Sequence, residues 1–85
     1  MSFFVDWARR QTAGGFYEKS LLVLLALRVD ARGVCVVSRA DLAAMSEMPR
    51  NNVERALVTL EGRGLIFRAA RAETSEIRLL TGDGK

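Results

Sequence analysis

The sequence predicts a mainly α-helical domain closed by a small β-hairpin wing, on three observations. From Asp41 to Gly64 the run DLAAMSEMPRNNVERALVTLEGRG has the pattern of a helix, a three-residue turn and a second helix. Within the second segment Val53, Ala56, Leu57 and Leu60 recur at i, i+3, i+4 and i+7, the spacing of one apolar stripe on an α-helix. Gly62-Arg63-Gly64 then breaks the helix, Leu65-Ile66-Phe67-Arg68 reads as a short strand, and a second strand candidate runs from Glu76 to Leu80. A helix-turn-helix (39–62) followed by a two-stranded wing (65–80) is a winged helix-turn-helix, expected here as a single domain over 1–85.

Composition narrows the function classes. With 49% hydrophobic and 27% charged residues in 85, the chain supports one modest core, and a second domain has no room. The apolar run Leu21–Leu27 is flanked by Glu18, Lys19 and Arg28 and falls far short of the ~20 residues of a membrane span, so it predicts a buried helix. No basic lead or cleavage site opens the chain, and a cytoplasmic location, nucleoid or plasmid associated, is expected. The single Cys35, set among valines, predicts a core thiol. Histidine is absent, which removes Ser-His and Cys-His nucleophile pairs and most transition-metal sites, and the ten carboxylates are scattered singly. An enzyme is not expected, nor a cofactor, a metal or a small-molecule ligand.

In chain order, Ser2 is placed to cap a first helix from Phe3 to about Gln11, with Phe3, Phe4, Trp7 and Ala8 on one face. Phe16 to about Val29 reads as the central helix. It is apolar all round, so the side opposite the core also needs a cover: the first helix, a second subunit, or both. Asp30–Gly33 is a turn, and Val34–Val37 predicts a third strand for the wing sheet. Ser38 with Asp41 three places on marks the start of a helix from Arg39 to about Ser46. Ser46, Glu47 and Met48 make the turn, and Pro49 is assigned the first position of the second helix, which runs to about Gly62. Alternation then puts Leu65, Phe67, Ile77 and Leu79 on the covered face of the hairpin and Ile66, Arg68 and Arg78 on the other, with a wing tip from Ala70 to Ser75.

The stripe on the second helix leaves Arg50, Asn51, Glu54, Arg55 and Val58 facing outward, and a helix crossing its predecessor in this way can enter a major groove with its leading residues. Asparagine pairs bidentately with adenine and arginine with guanine, so Arg50, Asn51 and Arg55 are the expected base readers. Asn52, nearer the edge, is assigned a phosphate, and Arg39 and Pro49 are counted with the DNA-facing set. On the wing, Arg68, Arg71 and Arg78 are assigned to the sugar-phosphate backbone or the flanking minor groove. Glu54 and Glu61 stand near Arg55 as rival ion-pair partners. Between Arg50 and Arg78 six arginines oppose four glutamates, and eleven arginines to two lysines suit forked contacts to phosphate and guanine. One small domain covers about one half-site, so a homodimer on a palindromic operator is expected. Phe3, Phe4 and Trp7 with the outer face of Leu22 and Val23 are the candidate dimer interface.

Trp7, the LLVLLAL helix, Asp30–Gly33 with Val34-Cys35, Ser38 before Asp41-Leu42-Ala43, and Val53-Glu54-Arg55-Ala56-Leu57 running through Leu60-Glu61 to Gly64-Leu65-Ile66 together cover some three quarters of the chain. In these residues it resembles the helix-turn-helix domains of phage and plasmid replication initiators and small plasmid-encoded transcriptional repressors. The resemblance implies a winged helix, double-stranded DNA as ligand and no cofactor. Where such turns usually have glycine this chain has Glu47, and a left-handed glutamate costs ~1 kcal/mol. Initiators carry a second domain, so a stand-alone transcriptional repressor is the expectation that fits the length. A replication or recombination accessory protein is the alternative on DNA. A winged-helix protein-interaction module is the alternative off it, kept open by Glu54 and a net charge of only +3.

Overall fold

A computed structural model describes residues 3–70 and 74–82. In order the elements are α1 (Phe3–Arg10), α2 (Phe16–Arg28), β1 (Val34–Val37), α3 (Arg39–Ser46), α4 (Arg50–Gly62), β2 (Ile66–Ala70) and β3 (Ser75–Leu79). Four helices thus stand with a three-stranded antiparallel sheet of order β1-β3-β2. None of the described helices is long and apolar enough to cross a membrane. Ser2 and Arg71, and with them the expected cap and wing-tip contact, lie outside the described residues.

The core is assembled from the stripes that the sequence announces. Val53, Ala56, Leu57 and Leu60 of α4 are all buried, against Leu21, Leu22, Leu25 and Ala26 of α2. Trp7 and Ala8 of α1, Leu42 of α3, and Cys35, Ile66, Ile77 and Leu79 of the sheet complete the same cluster. Burial pushes the Cys35 thiol up from its ordinary value, as suits a core residue.

Polar side chains hold the junctions. Ser38 Oγ accepts from the Asp41 N–H at 2.9 Å while the Asp41 carboxylate accepts from the Ser38 N–H, the reciprocal cap that starts α3. Asp30 Oδ1 accepts from the N–H groups of Arg32 and Val34, closing the turn before β1. In that turn Gly33 has φ +80°, and a Cβ there would meet the Phe4 ring at 2.9 Å, so α1 seats on a glycine. Lys19 Nζ donates to the carbonyls of Arg9 and Gln11, tying the end of α1 to α2 and placing a cation where the helix dipole is negative.

Three expectations need correction. Pro49 is not the first helical residue: its ψ of 150° is extended, and its carbonyl accepts from the N–H groups of Asn52 and Val53, so it is the cap and Arg50 begins α4. The phase of β2 is the reverse of the predicted one. Ile66 pairs with Leu79 and is buried, while Phe67 pairs with Arg78 and is 59% exposed. Gly64, at φ +75°, turns the chain, and Leu65, bonded back to the Leu60 carbonyl, packs before the ladder begins; with a period of two, that one-residue offset exchanges the faces. Arg68, opposite Ile77, is therefore on the inner side. The third is the placing of Phe3, Phe4, Trp7, Leu22 and Val23 at a dimer interface, since Trp7 and Leu22 are buried in this chain's own core.

Glu47 closes α3 in the left-handed region, φ 59° and ψ 32°, with Met48 buried beside it. Glu47→Gly is expected to stabilise the domain by about 1 kcal/mol, because glycine adopts this conformation without the Cβ penalty. At about 4–8 °C per kcal/mol for a chain of this size, calorimetry should read a rise of several degrees. An unchanged or lowered midpoint would mean that the Glu47 side chain contributes something that offsets its strain.

Candidate nucleic-acid interface

The stripe that α4 buries fixes what it shows. Asn51, Arg55 and Val58, at i, i+4 and i+7, form the line opposite the core, and Arg50 and Glu54 flank it. Arg50, Asn51 and Arg55 are exposed, and their side chains make no hydrogen bond or ion pair with another described residue. Val58, 52% exposed, extends the line with an apolar group. Asn52 is half-buried at the edge, and Pro49 is exposed ahead of the helix.

Beside this free row lies a closed ionic cluster. The Arg68 guanidinium forks onto Glu54, Nη1 to Oε1 and Nη2 to Oε2 both at 3.0 Å, and Nη2 also donates to Glu61 Oε1 at 3.0 Å. Arg39 Nη1, at the start of α3, reaches the same Glu54 Oε1 at 3.3 Å. The hydrogen bond from Arg68 is the main reason the Glu54 carboxyl is held below the ordinary glutamate range, and the bond from Glu54 likewise raises Arg68 above the ordinary arginine value. Arg68, its side chain only 14% exposed, is committed to α4 and is not a surface cation of the wing. Arg39 is a different case: at 61% exposure and with one longer contact it can leave Glu54 for a phosphate.

Glu54 and Glu61 were the rivals expected for Arg55; both face Arg68 instead, which frees Arg55. Seven residues apart on α4, they share one flank. That spacing was readable, but only the true phase of β2 carries Arg68 to it.

A pH dependence follows from this cluster. Glu54 is deprotonated more easily in the folded chain than in the unfolded one, so its contribution is in full force above the ordinary glutamate range and is lost as pH falls from there through the lowered value of the folded chain. Acid unfolding should therefore be gentler in Glu54→Gln than in the parent chain, as read by midpoints from pH 7 down to pH 3. Parallel curves for the two proteins would contradict it.

Arg78 is exposed on the outer face of the sheet, beside Phe67. The candidate dimer residues are largely withdrawn into this chain's own core. Trp7 and Leu22 are buried, Phe4 and Val23 pack against the same cluster, and Phe3 is 49% exposed, its ring edge-on to Phe4 at 5.2 Å. The physical reason is α1 itself: folded back and pinned by Lys19, it covers one side of α2 from within.

No family model, curated protein or solved structure matches this chain. Around the free row of α4 the structure brings Arg39 and the Arg68 cluster, whereas Arg78 stands on the other side of the sheet from Arg68. Among the described residues no group of His, Cys, Asp and Glu side chains could hold a metal ion.

Proposed function

We propose that this chain is a winged helix-turn-helix regulator of transcription, a cytoplasmic repressor that reads double-stranded DNA with the first half of α4 and occupies an operator of two half-sites as a dimer. The observation that carries the proposal is the row Arg50, Asn51 and Arg55: three side chains of types that can pair bidentately with bases, exposed and uncommitted at the leading end of a helix packed across a preceding one. The α4 N-terminus adds to it. Pro49 offers no side-chain cap, so the backbone N–H groups of Arg50 and Asn51 and the positive end of the helix dipole are available to a phosphate. Arg39 supplies a phosphate contact at the start of α3, β2 and β3 serve as the wing, and Arg78 is its remaining described cation.

Exposed Val58 and the neutralised Glu54 favour a second reading, in which the same helix face docks on a protein. Salt separates the two. Binding of the purified chain to a mixed-sequence duplex should weaken linearly on a log-log scale, by about 0.9 per phosphate engaged. Undetectable binding at low salt, or binding indifferent to salt, would overturn the DNA proposal in favour of the protein-docking one. Footprints within repeated origin sequences, away from promoters, would shift the role from repression to replication.

A further inference from the structure

With α1 folded back over one side of α2, a different stripe of that helix stays open. Phe16 is 79% exposed, Tyr17 52% and Leu27 63%, and Ser20 and Leu24 between them are half-buried. Tyr17, Ser20, Leu24 and Leu27 follow one another at steps of three, four and three, which keeps them on one side of the helix, opposite buried Leu22, Leu25 and Ala26.

We propose that this stripe, with Phe16 and Arg28 at its two ends, is the surface on which a second copy of this chain packs, helix α2 antiparallel to helix α2. Steps of three, four and three read the same in both directions, so a twofold axis at the level of Leu22 sets Ser20 against the partner's Leu24, a small residue facing a large one, as close helix packing requires. The same axis sets Leu27 beside the partner's Phe16. It also carries the guanidinium of Arg28, exposed and without a partner among the described residues, over the ring of the partner's Tyr17, a cation meeting the negative face of an aromatic. Phe16 and Tyr17 already stand edge to face, centroids 5.8 Å apart, as one aromatic unit. In a parallel pairing each position would meet its own copy, so the two Arg28 cations would come together at one end and Ser20 would face Ser20, leaving a gap between the helices. The two helix dipoles are also opposed in the antiparallel pair. A twofold pair is what an operator of two half-sites needs, but the surface is argued without DNA and is tested without it.

The test is sedimentation of the purified chain at tens of micromolar, with DNA absent. The parent chain should sediment as a dimer, and Leu27→Glu should weaken the dimer by at least about tenfold while keeping the helical circular dichroism and the thermal midpoint, since Leu27 supports nothing in its own core. The register is read separately by mild oxidation of cysteine variants. Tyr17→Cys combined with Leu27→Cys should give a covalent dimer, whereas each single change should not, because copies of one position lie about 15 Å apart along the paired helices. A monomeric parent chain, a Leu27→Glu variant that remains a dimer, or crosslinking by either single variant would overturn the proposal. DNA binding by a monomer would leave the reading of DNA by α4 standing, and would sink this surface together with the dimeric operator.

Discussion

Trp7→Ala is expected to cost about 3–5 kcal/mol, a large part of the ~5–15 kcal/mol that holds a domain of this size. Trp7 is 6% exposed and belongs to the same cluster as Leu22, Leu25 and Leu57. An eight-residue helix has too few turns to persist alone, so α1 exists because Trp7 and Ala8 are buried against the domain. Removing the indole leaves a cavity and also releases the surface of α2 that α1 covers. Thermal unfolding should fall by more than about 12 °C. Phe3→Ala, at a residue half exposed at the start of the same helix, should stay within a few degrees of the parent. A Trp7→Ala protein that melts like the parent but loses self-association would return Trp7 to a subunit interface.

The second large effect is on recognition. Asn51→Ala and Arg55→Ala should each lower affinity for the preferred duplex by about 5- to 150-fold, the equivalent of one bidentate base contact of ~1–3 kcal/mol. Weak binding to unrelated duplex should persist in both, because phosphate contacts carry it. Neither side chain is tied to a described residue, so the melting temperature should hardly move. Arg55→Lys should not rescue, since a lysine lacks the planar fork. Calorimetric titration of the four proteins against preferred and scrambled duplexes reads all of this, and affinities within twofold of the parent for both alanine variants would move the reading surface off α4.

Much of the architecture was legible because local and tertiary preferences agree. The i, i+3, i+4, i+7 stripe of α4 is buried residue for residue, Ser38 and Asp41 make the cap that their spacing announces, and Val34–Val37 is the third strand. The phase of β2 was not legible, since Leu65-Ile66-Phe67 is apolar at three successive positions and period alone cannot say which two share a face. With that phase went Arg68, read as a wing cation and found clamped to Glu54 and Glu61. Pro49 was ambiguous between cap and first turn, because its fixed φ suits both and only ψ separates them. For α2, apolar on every side, no pattern could say which side α1 would take. Hence Trp7 and Leu22 were expected at a subunit interface, while Phe16, Tyr17 and Leu27 remained at the surface. The outward row of α4 was legible, since it is what remains once the buried stripe is known, but that Arg55 is free of Glu54 and Glu61 was not, because it depends on where Arg68 falls.

The central claim, that the leading half of α4 reads base sequence, is tested most directly by selecting duplexes from a randomised pool with the parent chain and with the Asn51→Ala, Arg55→Ala double variant side by side. The account predicts that the parent enriches one motif, arranged as an inverted repeat with adenine and guanine at fixed places in each half, and that the double variant retains duplex without enriching those bases. A parent chain that enriches no motif, or a double variant that enriches the same one, would contradict it.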